Sequence, residues 1–220
     1  MPIVAYVFDA YGTLFDVHSA VSRHAAVVGP QWERLSELWR TKQLEYNWVE
    51  SLIGRHPDFW ELTERALDYA MVEAGVPGGE LRTELLDSYR SLDAYPEVPE
   101  VLEALKTRGA RTAILSNGTP QMLADAVQAA GIGDLLDAVI SVEEVGIFKP
   151  DRRVYELAEK HLGVPPAGIS FQSSNAWDAA GASAFGFRAV WVNRIGRPRE
   201  YAGDPVTEVR DLSALVGMDL

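Results

Sequence analysis

Five short apolar runs rich in β-branched residues do most to limit how this chain can fold: IVAYVF (3–8), TAIL (112–115), AVISV (138–142), GISFQ (168–172) and AVWV (189–192). They read as buried strands of a parallel sheet. Helical patterns separate the later ones. Thr119 followed by Pro120 reads as an N-cap and first-turn proline, and Gly131 closes that helix. Lys149-Pro150 opens the next, which stops near Gly163. Such alternation specifies an α/β fold: a Rossmann-like, doubly wound parallel sheet with helices on both faces and right-handed crossovers.

The interval between the first and second runs is far longer than one crossover helix needs, and its pattern is helical throughout. Leu35, Leu38, Trp39, Tyr46, Val49 and Ile53 recur at helical spacing as an expected core stripe. Phe59 to Gly75 and Glu80 to Leu92 repeat the pattern, and Pro96 and Pro99 mark a return to the sheet. The expectation is a core domain of residues 1–16 and 95–220 with a helical cap subdomain, 17–94, inserted after the first strand.

Composition removes several function classes. With no cysteine, disulfides and thiolate chemistry are excluded. The four histidines, His18, His24, His56 and His161, show no metal-ligand spacing, and no metal site is assigned. A formal charge of −12 repels nucleic acid and anionic membrane surfaces, so neither is an expected partner. No apolar stretch approaches the ~18 residues of a membrane span, and MPIVAYVFD lacks the marks of a leader, so the chain is expected to be cytoplasmic. An anionic substrate would need a few cations to reverse the field locally.

In open α/β sheets ligands sit beyond the carboxyl ends of the strands. There the sequence collects Asp9, then Ser116 and Asn117, then Lys149, and then Ser173, Ser174, Asn175 and Asp178, from four loops. Asp9 has two readings: a turn-forming aspartate bonded to the amides of AYGT, or an ionised, poorly hydrated carboxylate acting as a nucleophile. A lysine at contact favours the ionised form by roughly 4 kcal/mol at an effective dielectric of ~20. Thr13 either turns its hydroxyl toward Asp9 or caps a helix. Ser116-Asn117-Gly118 is either a plain turn or a set of anion contacts.

Asn175 and Asp178 stand at N-cap and N3 as in a capping box. The same helix N-terminus can also offer amides to an anion and turn Asp178 toward the Asp9 loop. Tyr155 reads as a core aromatic. Arg40 lies off the apolar stripe on a face shared with Leu44 and Trp48. It either serves a pocket for a small anion with a hydrophobic body or snorkels at the surface beside Glu37.

Taken together, Asp9, Ser116, Lys149 and the Asp178 loop resemble the four motifs of the haloacid dehalogenase superfamily. Most members are magnesium phosphatases with an Asp-x-Asp first motif and further acids in the fourth. Here Tyr11 replaces the second Asp, and Ser173 and Ser174 stand where fourth-motif acids are expected. A hard cation is then poorly held and a transferring phosphoryl group loses its charge stabiliser. Displacement at carbon remains.

End to end, the chain is similar to the (S)-2-haloacid dehalogenase subfamily through FDAYGTLFDVHS, LWRTKQLEYNW, LSNGTPQML, KPDRRVYELAE and SSNAWDAAGA. Thr41 stands where a glutamine is expected after the arginine, which bears on pocket shape and substrate range.

The resemblance implies hydrolysis of (S)-2-haloalkanoates to (R)-2-hydroxy acids through an ester of Asp9, with halide released and no cofactor. It implies that Lys149, Tyr155 and Thr13 support Asp9, and that Asp178, Asn175 and Ser173 position or deprotonate water. Ser116 would bind the substrate carboxylate, and Arg40, Asn117 and Trp177 the halide, while Tyr11, Leu44 and Phe59 line the alkyl pocket. It also implies a homodimer. Two rivals predict differently. A phosphatase or phosphonatase-like hydrolase would be inactivated by chelator, and a catalytically silent binding module would be indifferent to Asp9→Asn.

Overall fold

The structure is a computed structural model and describes residues 1–201 and 206–218. Its elements run β1 (Ala5–Phe8), α1 (Ser19–Ser22), α2 (Ala25–Val28), α3 (Trp32–Leu52), α4 (Phe59–Ala74), α5 (Glu80–Arg90), α6 (Val98–Thr107), β2 (Arg111–Ser116), α7 (Pro120–Ala130), β3 (Ala138–Ser141), α8 (Arg152–Leu162), β4 (Ile169–Ser173), α9 (Ala176–Phe185), β5 (Arg188–Val192) and β6 (Thr207–Val209). All six strands form one parallel sheet in the order β3-β2-β1-β4-β5-β6, flanked by helices.

The five expected strands appear within about two residues of their sequence bounds. β1 is buried at every position, as a central parallel strand must be. It pairs with β2 on one side and β4 on the other, with Phe8 opposite Ile114 and Gln172. The chain builds outward from β1 to β3 and then resumes at β4 on its other side. The crevice beyond β1 and β4 is therefore the switch point of the sheet. The sixth strand was not expected, because three residues along an edge carry too little pattern to read.

Thr119 caps α7, its hydroxyl accepting from the Met122 amide at 3.2 Å, a contact worth about 1 kcal/mol. Gly131 and Gly163 close α7 and α8 in left-handed conformation. One boundary is corrected: α8 begins at Arg152, and Asp151 is its cap, accepting from the Arg153 amide at 2.9 Å. Pro150 precedes the helix.

A second correction concerns α3. Leu35 and Trp39 are buried as expected, but Val49 and Ile53 are exposed and Leu38 and Tyr46 only half-buried. The inward face is instead Ser36, Gln43, Asn47 and Glu50. The helix can turn this polar face inward because three of those side chains find partners there, Ser36 with His18 at 2.7 Å among them. Gln43 is bonded on both sides of its amide, and Glu50 meets Arg65 at 3.1 Å.

Candidate active site

The Asp9 amide donates to the Gln172 carbonyl at 2.9 Å, carrying the β1–β4 ladder one residue past Phe8 before the chain turns. At Gly12 φ is +94°, and a Cβ there would come within 2.9 Å of Ser174 Oγ, so only glycine closes this turn without strain. The turn brings Thr13 Oγ1 to 3.2 Å from Asp9 Oδ2. Lys149 Nζ donates to Oδ1 at 3.1 Å and Asn175 Nδ2 to Oδ2 at 3.0 Å. Of the AYGT amides, those of Gly12 and Thr13 go to the carbonyls of Phe15 and Ala10 rather than to Asp9. Asp9 is held by side chains from three different loops.

Lys149 is 1% exposed and lies between two carboxylates, the second being Asp178 Oδ2 at 3.0 Å. Burial is the largest single influence on its ammonium and opposes the charge. The attraction and hydrogen bonds of Asp178 and Asp9 together outweigh it and raise its pKa above the usual lysine value. Its backbone is placed by Asn117, whose Oδ1 accepts from the Lys149 amide at 3.0 Å. For Asp178, burial pushes the carboxyl pKa up, Lys149 pulls it down and Asp9 pushes it up again, leaving it above the ordinary aspartate range.

Tyr155 donates to Asp178 Oδ1 at 2.8 Å, and burial first, then Asp178, keeps it a protonated phenol. It is also the core aromatic the sequence implied, edge-on to Phe171 with centroids 5.8 Å apart. A Cβ at Gly181 would sit 2.6 Å from its hydroxyl, so the bare backbone there lets Tyr155 reach Asp178.

The expected capping box on α9 does not form. Asn175 is the N-cap residue, but its side chain makes no cap bond. Its amide nitrogen goes to Asp9, and the Asp178 carboxylate goes to Lys149 and Tyr155. Charge-assisted contacts outbid the neutral cap. Ser173 Oγ accepts from the Asn175 amide at 3.1 Å. Ser116 Oγ accepts from the Gly118 amide at 3.1 Å, the contact of a turn, which leaves its hydroxyl hydrogen to donate.

From the helical segment, Arg40 reaches across to the Asp9 loop. Its Nη2 donates to the Tyr11 carbonyl at 3.0 Å and lies 3.5 Å from Asn175 Oδ1, and its Nη1 donates to Gln43 Oε1 at 2.8 Å. It is half-buried and makes no ion pair among the described residues, so the surface pairing with Glu37 is not what holds it. Tyr11 is sandwiched, stacking on Tyr89 at 5.6 Å and meeting Phe59 at 5.7 Å. Burial pushes the Tyr11 phenol well above its usual range, so it is no substitute for an aspartic general acid.

Trp177 is half-buried and meets Trp48 edge-on at 5.4 Å, and Leu44 is half-buried. Thr41 is exposed, so the departure from glutamine lies outside the buried pocket. Ser174, collected with the strand-end residues, donates its amide to Thr13 Oγ1 at 2.8 Å, and two contributors are new, the Gln43–Tyr89 pair. A polar residue on a helix face carries no periodic signal, which is why Gln43 was invisible.

Among the described residues no group of three or more His, Asp or Glu side chains could hold a metal ion. The two carboxylates at hand share an ammonium instead, a donor set that does not fit a hard divalent cation. The histidines pair elsewhere: His18 with Ser36, His24 with Ser88, His56 with Glu143 and His161 with Glu144. Among the described residues no helix is long and apolar enough to cross a membrane.

A parallel sheet with an aspartate at the end of its first strand and a lysine bridging to a second carboxylate defines a class, and sequence comparison agrees. The model of the haloacid dehalogenase-like hydrolases matches residues 3–186, and the chain belongs to that family. It is 51% identical to (S)-2-haloacid dehalogenase 1 of Pseudomonas sp. (strain CBS-3), over 93% of this chain and 90% of that one. It is 47% identical to (S)-2-haloacid dehalogenase 4A of Burkholderia cepacia, over 96% and 92%. The solved L-2-haloacid dehalogenase of Xanthobacter autotrophicus with chloropropionic acid covalently bound superposes with a TM-score of 0.90 at 37% identity, over 98% of this chain and 97% of that one.

Proposed function

We infer that this chain is a hydrolase that converts (S)-2-haloalkanoic acids to (R)-2-hydroxyalkanoic acids with release of halide. The observation that carries the reading is the Asp9 carboxylate held by Lys149, Thr13 and Asn175, with no second acid two residues on. In the first half-reaction an Asp9 oxygen attacks C2 from the face opposite the halogen. A C2–O bond forms, the carbon–halogen bond breaks, and halide leaves with the electron pair. In the second, water adds to the Asp9 side-chain carbonyl carbon and gives its proton toward Asp178. The acyl–oxygen bond then breaks, the leaving alkoxide takes up the proton held by Asp178, and the hydroxy acid departs, so C2 inverts once.

Holding the reactants at near-attack distance supplies roughly 7 to 11 kcal/mol of barrier reduction, which makes a metal-free displacement feasible. In our assignment Lys149 and Thr13 orient Asp9, Tyr155 orients Asp178, and Asn175 and Ser173 hold the water. Arg40, Asn117 and Trp177 receive the halide, Ser116 and the loop amides take the substrate carboxylate, and Tyr11, Leu44 and Phe59 enclose the alkyl group. Halide release is expected from (S)-2-chloropropionate and not from its enantiomer, unchanged by EDTA. Release abolished by EDTA, or no release from either enantiomer, would refute the reading.

We further propose that residues 17–94 form a cap that moves as a unit against a core of 1–16 and 95–220, of which 202–205 and 219–220 lie outside the described residues. The two crossings lie side by side. Asp16 donates to the Asp93 carbonyl at 2.8 Å and Tyr95 to the Leu14 carbonyl at 2.9 Å. Hydrogen exchange should open α1 to α5 at a lower free energy than the sheet; joint opening of both would contradict a separate cap.

A homodimer is the proposed assembly. Val49, Leu52 and Ile53 on and after α3, with Tyr69 and Val72 on the packed α4, are exposed apolar residues, Leu52 at 86% and Val72 at 83%. Sedimentation should give twice the chain mass, and Leu52→Glu with Val72→Glu should yield monomer. A wild-type monomer would end the proposal.

A further inference from the structure

Gln43 is fully buried in α3, three residues beyond Arg40, and every hydrogen-bonding end of its amide is committed. Its Nε2 donates to Thr63 Oγ1 at 2.7 Å and to the Tyr89 hydroxyl at 3.0 Å, while its Oε1 accepts from Arg40 Nη1 at 2.8 Å and lies 3.2 Å from the same tyrosine hydroxyl. The orientation of this amide is forced. Thr63 Oγ1 spends its one hydrogen on the Phe59 carbonyl at 2.7 Å and can only accept from Gln43. The NH2 end must therefore face Thr63, and the carbonyl must face Arg40, a side chain that can only donate.

Thr63 is itself fixed in α4, where its carbonyl accepts from Trp39 Nε1 at 2.9 Å. Three of the five guanidinium hydrogens of Arg40 are then assigned, to Gln43, Tyr11 and Asn175, and the Tyr89 hydroxyl is in reach of a fourth, which leaves at least one for a ligand. The cavity beside them, lined by Val17, Ser36, Trp39 and Tyr89, is only about 10 Å³, too small for the guanidinium to swing into.

We propose that Gln43 and Thr63 are positioning residues for the leaving-group step. Thr63 locks the Gln43 amide, and the Gln43 carbonyl locks the guanidinium of Arg40 so that its remaining donor capacity meets the departing halide. This deepens the function proposed above and rests on Arg40 receiving the halide. The relay touches neither substrate nor Asp9, so its signature is dependence on leaving group rather than general loss of rate. A misplaced donor costs most where halide charge is hardest to stabilise, at chloride rather than bromide.

The test uses Thr63→Val, close in shape but unable to accept, with Thr63→Ser as the conservative rescue. Gln43→Glu is a second arm, since it keeps an acceptor for Arg40 but neutralises its charge. Product inhibition by sodium bromide and the ratio of kcat on 2-bromo- and 2-chloropropionate are measured for each. Thr63→Val should weaken bromide inhibition and lower kcat on the chloro substrate by about tenfold, short of the hundredfold that a full ångström of misplacement brings, and lower kcat on the bromo substrate less. Thr63→Ser should recover most of both. Gln43→Glu should weaken bromide inhibition further.

If Thr63→Val and Gln43→Glu leave bromide inhibition and the leaving-group ratio at wild-type values while Arg40→Lys changes them, the relay is wrong and the Arg40 assignment stands. If Arg40→Lys leaves both unchanged too, the halide role of Arg40 fails and the relay with it. A loss of kcat equal for both substrates, tracking a lower melting temperature, marks Gln43 and Thr63 as packing alone and overturns the proposal.

Discussion

Asp9→Asn is expected to lower halide release by roughly four to six orders of magnitude, about 5 to 8 kcal/mol of transition-state stabilisation, because the atom that forms the new bond is lost as an anion. The protein should still fold. Lys149 keeps Asp178 at 3.0 Å when the Asp9 charge is removed, so its buried ammonium is not left alone. The sharper measurement is isotopic. In a single turnover of wild-type enzyme in heavy-oxygen water, the product hydroxyl comes from Asp9, and the label enters the Asp9 side chain. Label appears in product only on later turnovers. Label found at once in product, with none in the peptide holding Asp9, would mean that water attacks C2 directly and that Asp9 is a base.

The sheet was legible because each strand is a complete apolar run between recognisable helix signals, and the strand-end rule then located Asp9, Asn117, Lys149 and Asp178 without any side-chain coordinates. What escaped had a physical reason in each case. Asn175 and Asp178 have the right types and spacing for a capping box, yet a buried ammonium and a carboxylate offer them stronger partners than backbone amides do. The α3 stripe failed because apolar residues were assumed to point inward. In this helix the inward face is polar, with Ser36, Gln43 and Glu50 each finding a partner, whereas Val49, Leu52 and Ile53 face outward. Spacing reports amphipathicity, and it does not report which face meets the core when the core itself supplies hydrogen bonds. Gln43 and Thr63 lie on different helices and become a unit only when α3 packs on α4.

Asp178→Asn is expected to separate the two half-reactions, and the reason lies in how charge moves between them. Before attack, Lys149 is balanced by two carboxylates, at 3.1 and 3.0 Å. Once Asp9 is esterified it is neutral, and Asp178 alone faces the buried ammonium while it also takes a proton from water. Removing that carboxylate should slow hydrolysis of the ester by the 10²–10⁴-fold typical of a lost general base. It should slow alkylation by less, since Asp9 is still charged when that step begins. The ester should then accumulate, visible in the intact mass of the protein after mixing with (S)-2-chloropropionate. A variant that turns over slowly with no trapped adduct would show that Asp178 serves the first step instead.

The pH profile follows from the same charges. Burial raises the Asp178 pKa and the neighbouring Asp9 carboxylate raises it further, so protonation on lowering the pH removes the base above the ordinary aspartate range. Ester formation deletes the Asp9 charge and with it that upward push. Asp178 in the intermediate therefore stays ionised to lower pH than in the free enzyme. With hydrolysis limiting, the acid limb of kcat should fall below the acid limb of kcat/KM, which reports Asp178 in the free enzyme. Coincident limbs would mean that Asp178 does not sense the Asp9 charge across Lys149.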